Sequence, residues 1–171
     1  MDIVKTLQQK ASISDDDIKH VRIAAAHGAK MHRPISTKDS VYEMEGATSL
    51  YVDIIPPEQR DDAMGETDRL IYCFHFDKDP RQAHNIPFVF VVVEGEIFSE
   101  TKERLSKRTG IKGKAFEKVK FAVVRDGLVD RPIYLDDGDI LYEKLGKYDE
   151  LGLDHVNKTR NTWAPERLNI R

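Results

Sequence analysis

Cysteine is almost absent from this 171-residue chain: Cys73 stands alone, so no disulfide can staple the fold from within. A single cysteine suits a reducing compartment. An excess of one charge is missing too, with 27 Lys and Arg against 30 Asp and Glu and a net charge of −3. That balance argues against a dedicated nucleic-acid binder, which carries a basic surplus. Long hydrophobic runs are also lacking. The longest, Phe88 to Val93, has six residues and is far too short to span a bilayer. The opening Met1-Asp2-Ile3-Val4-Lys5 has no basic-then-apolar signal pattern. These absences lead us to expect a soluble intracellular protein, nuclear or cytoplasmic, with neither membrane nor nucleic acid as a partner.

What is present is enough apolar material for real cores, 40% of residues, beside 33% charged ones. The length allows one ordinary domain or two small ones. Internal self-similarity favours two. Displaced by 98 positions, Leu7 to Asp39 falls on Leu105 to Asp137. The identities are Leu7/Leu105, Ile13/Ile111, Val21/Val119, Ala24/Ala122, Arg33/Arg131, Pro34/Pro132, Ile35/Ile133 and Asp39/Asp137. Most are apolar, and a shared Arg-Pro-Ile joins them. The competing explanation is chance similarity between two helix–strand passages.

The second copy is complete and defines the unit. Arg69 to Lys78 alternates, with Leu70, Tyr72, Phe74 and Phe76 on one face, as a strand does. Asp79-Pro80 and the polar residues after it predict a turn or loop, and Pro87 to Glu94 a buried strand. Ile97, Phe98, Thr101 and Leu105 recur at helical spacing, closed by Gly110 as a C-cap. A third strand is expected over Val119 to Arg125, a short extended piece over Arg131 to Leu135, and a closing one over Ile140 to Tyr142. Hairpin, helix, then short strands is the order of a β-grasp, a small α+β domain in which one helix covers a mixed sheet.

In the first copy, Ile3, Val4, Leu7 and Ala11 mark the helix, Val21 to Ala25 the third strand and Leu50 to Ile55 a further one. The hairpin that should precede the helix would lie before residue 1, so this module lacks it and the chain reads as a piece of something longer. Either another segment completes the module, or residues 1–55 pack in an altered way. The expected organisation is a partial module over 1–55, a linker over 56–68, a complete module over 69–147 and a C-terminal tail over 148–171.

Three stretches carry a resemblance to a known family: Ile86-Pro87-Phe88 through Glu96-Ile97-Phe98; Phe116-Glu117-Lys118-Val119-Lys120-Phe121-Ala122-Val123-Val124; and Leu151-Gly152-Leu153-Asp154-His155-Val156-Asn157-Lys158. They resemble the extreme C-terminus of the ubiquitin-specific protease 7 family, including its fungal members, and the last is the most specific. The resemblance implies ubiquitin-like modules, the fourth (partial) and fifth of a series that follows a papain-like catalytic domain. It further implies that these last two modules and the short tail after them fold back on the catalytic domain of the same protease and switch it to an active arrangement. The fragment itself would hold no catalytic residue and need no cofactor. An adaptor that recruits substrates or localisation partners is the rival reading.

Within the tail, Trp163, Leu168 and Ile170 are the candidate partner-binding residues. Trp163 is the only tryptophan, and Leu168 and Ile170, two apart, would share one face of an extended segment. Such a segment suits a groove or a sheet edge, with the indole as anchor. The tail keeps the aromatic and the spaced aliphatics of the family's activating peptide and departs from it elsewhere.

Other residues favour structural explanations. Cys73, between Tyr72 and Phe74 in a strand, reads as a small hydrophobe rather than a nucleophile. Neither His75, Asp77, Asp79 and His84 nor Asp136-Asp137-Gly138-Asp139 has zinc or EF-hand spacing, and turn chemistry explains both groups. Lys107, Arg108, Lys112 and Lys114 around Gly110 and Gly113 form a basic edge without a phosphate-loop pattern. Ubiquitin's apolar recognition patch centres on its third strand, and the matching position here is Lys120. With that polar residue and an Asn169-Ile170-Arg171 end, the chain is expected to be neither recognised nor conjugated as ubiquitin.

Overall fold

A computed structural model describes residues 14, 16–35, 49–60, 63–125 and 131–157. The first copy contributes β1 (Val21–His27), β2 (Lys30–Ile35) and β3 (Ser49–Ile54), which form an antiparallel sheet in the order β2-β1-β3. The second contributes β4 (Arg69–Asp77), β5 (Asp79–Val92), α1 (Phe98–Thr109), β6 (Lys120–Val124), β7 (Ile133–Tyr134), α2 (Leu141–Lys144) and β8 (Glu150–Asp154). Its sheet runs β5-β4-β8-β6-β7, antiparallel except for the parallel pair β4–β8. A hairpin, a covering helix and a last strand inserted beside the first make this the ubiquitin-like β-grasp. The trio β2-β1-β3 repeats the relation of β7-β6-β8, with the middle strand antiparallel to both neighbours. The helix expected over Ile3 to Ala11 lies outside the described residues.

Helix α1 buries Phe98, Thr101 and Leu105, spaced to share one face. Its first free N–H groups need acceptors, and the Asp136–Asp139 turn supplies them. The Phe98 N–H donates to the Asp139 carbonyl at 2.8 Å and the Ser99 N–H to that of Asp137 at 3.0 Å. At the other end Gly110 takes the left-handed conformation (φ 71°), and its N–H donates to the Ser106 carbonyl. The apolar face meets Ile71, Cys73, Phe88, Phe90, Val92, Phe121, Val123, Leu151 and Leu153 in one core.

Three expectations change. Residues 79–86 are not a loop: β5 starts at Asp79, directly after Lys78, which turns the chain with φ 64°. Pro80 is tolerated because β5 is the edge strand, where half the N–H groups have no ladder partner to lose. The piece at Ile140 to Tyr142 is the start of α2, since Leu141 and Leu145 are both buried at a spacing of four. The tail does not begin at 148: β8 lies in the middle of the sheet, so the module runs to Asp154. The core under α1 takes Ile71 and Cys73 from β4, while Tyr72, Phe74 and Phe76 share a face as the alternation predicts. Those three face the other side of the sheet, and Phe74 and Phe76 are 1% and 0% exposed there.

A strand buried on both faces reads as nearly continuous apolar sequence, and the first module explains the second cover. Ala24 and Met31 pack on Val89 with Tyr51 and Tyr72, and Lys30 places its ammonium 3.8 Å from the Phe74 ring centre. The stretch expected to be a linker is drawn into this seam at its front. Gln59 is buried in a short 3-10 turn, Pro57–Gln59, donates to the Val89 carbonyl at 3.0 Å and accepts from Arg22 at 3.2 Å.

Candidate functional site

The string Leu151-Gly152-Leu153-Asp154-His155 is the place where the fold decides how the C-terminal segment departs. Leu151 and Leu153 alternate into the core, both 0% exposed. Gly152 between them faces the opposite side, under the Phe76 ring. A Cβ there would lie 2.5 Å from Phe76 Cε1 and 3.1 Å from Val124 Cγ2, closer than side chains pack. Asp154 then ties two neighbours together: one carboxylate oxygen accepts the Lys78 N–H at 2.8 Å and the other the Tyr134 hydroxyl at 2.7 Å.

His155, the first residue beyond β8, is held from three directions. Its N–H donates to the Phe76 carbonyl at 2.9 Å, its ring nitrogen Nε2 lies 2.8 Å from His75 Nδ1, and its carbonyl accepts from His84 Nε2 at 3.1 Å. The rings of His75 and His84 meet that of His155 edge-on, at 5.0 and 4.8 Å. His155 Nδ1 donates to the Val156 carbonyl at 3.3 Å, which leaves Nε2 to accept from His75. Burial, followed by the neighbouring rings of His155 and His84, pushes the His75 pKa down to about 4. Burial lowers that of His155 as well. His75 and His155 are therefore neutral at pH 7, and their contact acts as an anchor rather than a proton donor. Among the described residues, no group of three or more His, Cys, Asp or Glu side chains is arranged to hold a metal ion.

The anchored end leads directly to the segment carrying Trp163, Leu168 and Ile170, all three of which lie outside the described residues. Cys73 is fully buried in the core, and burial raises its thiol pKa well above the ordinary value, the reverse of an activated nucleophile. Asp79 pairs with Arg81 at 2.7 Å, and its carboxylate lies below the usual range chiefly through that hydrogen bond. Asp137 pairs with Lys102 and Asp139 with Lys144, inside the turn that caps α1. Lys120, the position matched by spacing to the centre of ubiquitin's patch, is exposed, with its ammonium 5.9 Å from the Tyr134 ring centre.

Of the basic edge, Arg108 is not a solvated charge. It forms an ion pair with Asp53 on β3 and so joins helix α1 to the first module. Spacing along the chain could not reveal that pairing, because its partners are 55 residues apart. The histidine cluster was equally hidden: His75, His84 and His155 meet only because β8 inserts beside β4.

The sequence profile of one family, described as ubiquitin-specific protease C-terminal, matches residues 1–160. The chain belongs to this family. It is 32% identical over 156 residues to ubiquitin carboxyl-terminal hydrolase 15 of Schizosaccharomyces pombe, a match covering 90% of the chain and 14% of that protein. Against ubiquitin carboxyl-terminal hydrolase 5 of the same yeast the figures are 33% over 147 residues, 84% and 13%. Against ubiquitin carboxyl-terminal hydrolase 7 of Drosophila melanogaster they are 28% over 134 residues, 74% and 11%. The chain thus spans about one-seventh of the length of the yeast hydrolase 15 and corresponds to a ubiquitin-specific protease C-terminal region. No described helix is long and apolar enough to cross a membrane.

Proposed function

We propose that this chain is a non-catalytic regulatory region of a ubiquitin carboxyl-terminal hydrolase, and that its C-terminal segment docks on the catalytic domain of the same polypeptide and activates it. The observation that carries the reading is the locked exit at His155, within a family whose other members are C-terminal regions of ubiquitin hydrolases. A docking peptide held at its root by three histidines searches a smaller volume than a free one, which raises its effective concentration at a nearby groove. In the segment itself, Trp163 is the anchor and Leu168 and Ile170 the flanking contacts. Activation is a population shift: the segment must bind the active arrangement more tightly than the inactive one, and about 1.4 kcal/mol of difference shifts the ratio tenfold. The hydrolysis itself belongs to the parent, since the only thiol here is sealed in a core.

The test is deletion of residues 159–171 from the full-length hydrolase. Turnover of a generic ubiquitin substrate should collapse, and the isolated peptide added in trans should restore part of it. Unchanged turnover would instead favour an adaptor that recruits substrates or localisation partners.

A further inference from the structure

Beside the histidine anchor, the two modules leave between them a pocket of about 310 Å³ at the C-terminal end of α1. Its apolar lining includes Val52 from the first module and Ile86, Pro87, Phe88 and Ile111 from the second. A bulge in β5 shapes the mouth. Cys73 pairs with Phe88 and His75 with His84, so Asn85, Ile86 and Pro87 stand opposite Phe74 alone. Asn85 takes the left-handed conformation (φ 57°), and Ile86 is left 69% exposed. Among the described residues of the lining, Asp53 and Arg108 are the only charged ones, and they pair with each other. Arg108 Nε is buried and, among the described residues, meets no acceptor.

The C-terminal segment starts close to this pocket. His75, which holds His155, also lines the pocket. The Asn157 N–H donates at 3.5 Å to Asp77, two residues farther along β4. Two strand residues span about 7 Å, whereas the chain from Asn157 to Trp163 reaches about 20 Å when extended.

We propose that this inter-module pocket seats Trp163 of the chain's own C-terminal segment and so withholds the segment from the catalytic domain. The indole brings an apolar body to Val52, Ile86 and Pro87 and one N–H to the Asp53 carboxylate. The backbone beside it brings carbonyls to Arg108 Nε. Lys158, Arg160, Arg167 and Arg171 of the segment meet no net like charge, because the lining pair is neutral overall. A short tether sets an effective concentration of about 1 mM, so a seat of only about 0.3 mM affinity is filled about three-quarters of the time. A segment free for the remaining quarter docks elsewhere about fourfold more weakly. The seat itself is independent of the activating role proposed above, and its effect on turnover rests on that role.

Trp163 is the only tryptophan, so its emission in the full chain reports the seat. Acrylamide should quench it about threefold less than in the urea-unfolded chain. NOEs should join the indole protons to the methyl groups of Val52 and Ile86. Ile86→Ser and Val52→Ser, both at exposed positions, should each raise quenching about twofold, while Ile133→Ser, on the opposite edge strand, leaves it unchanged. The proposal is overturned by quenching as free as in the unfolded chain, by absence of those NOEs, or by indifference to both pocket variants. Protection that grows with protein concentration places the indole on a second copy and overturns it as well. In the full-length hydrolase the two pocket variants should raise turnover of a generic ubiquitin substrate about twofold. Unchanged turnover beside a filled seat overturns the withholding role, whereas unchanged turnover after deletion of residues 159–171 overturns the activating role and leaves the seat standing.

Discussion

His75 Nδ1 lies 2.8 Å from His155 Nε2, so a residue of the first strand of the complete module holds the residue at which the chain leaves its last one. The contact needs one ring to donate and the other to accept. If both rings were protonated, both would donate, and the two positive charges would face each other.

Acidification should therefore loosen this anchor. With a folded-state pKa of about 4 against 6.5 unfolded, His75 binds its proton more readily in the unfolded chain. Its stabilising contribution is complete above pH 6.5, declines as the pH falls below that, and is gone by about 4. The whole effect is at most about 3 kcal/mol. Urea midpoints measured between pH 7.5 and 4.5 should show the loss, and His75→Gln should flatten it. An imidazole titration by NMR with His75 near 6.5 would remove the basis of the prediction.

Gly152 has no freedom to grow. Replacing it with Ala sets a methyl group 2.5 Å from Phe76 Cε1, and the ring or the strand must move. We expect a loss of about 1–3 kcal/mol in chemical denaturation. Phe76→Leu in the same molecule should recover part of it, because the smaller side chain vacates the contested space. A simple sum of the two single losses would mean that the clash is relieved elsewhere.

The ion pair between Arg108 and Asp53 bridges the modules, with both side chains mostly out of water (18% and 22% exposed). Arg108→Gln and Asp53→Asn should each cost about 1–2 kcal/mol in resistance to unfolding. A double-mutant cycle should give a coupling of about 1 kcal/mol, more than a solvated surface pair provides. Limited proteolysis should reach the 56–68 stretch faster in either variant.

Cys73 should ignore a thiol reagent such as dithionitrobenzoate in the folded chain and react once in denaturant, since its sulfur is sealed and its thiolate disfavoured. Cys73→Ala should leave the parent hydrolase active, apart from a cavity cost of about 1–2 kcal/mol in stability. Rapid native labelling would show that the core opens at this strand.

In the full-length parent, Trp163→Ala should lower turnover of a generic ubiquitin substrate about tenfold, and Leu168→Asp or Ile170→Asp by a comparable factor. Binding of ubiquitin measured separately should change less if, as proposed, the segment biases an arrangement rather than contacting substrate. Equal loss in both measurements would place these residues at the substrate instead.

Much of this was legible from the chain alone. Period-two and period-3.6 patterns, Gly110 after a helical run, and the displaced copy of an Arg-Pro-Ile passage led to strands, a helix and two related modules. The failures have physical causes. Pro80 reads as a loop residue unless its strand is known to lie at an edge. The faces of β4 could not be ranked, because both are apolar and each has its own cover. The last strand reads as tail because its hydrophobic residues, Leu151 and Leu153, are too few to announce a buried centre.

Local pattern, then, determined the kind of module, the helix with its glycine cap and the family, since each depends on residues a few positions apart. Only tertiary structure decided that β8 inserts beside β4, that His75, His84 and His155 converge, and that Arg108 reaches Asp53. Those contacts join residues tens of positions apart, and which ones meet is set by strand insertion and module packing, for which no local spacing rule exists.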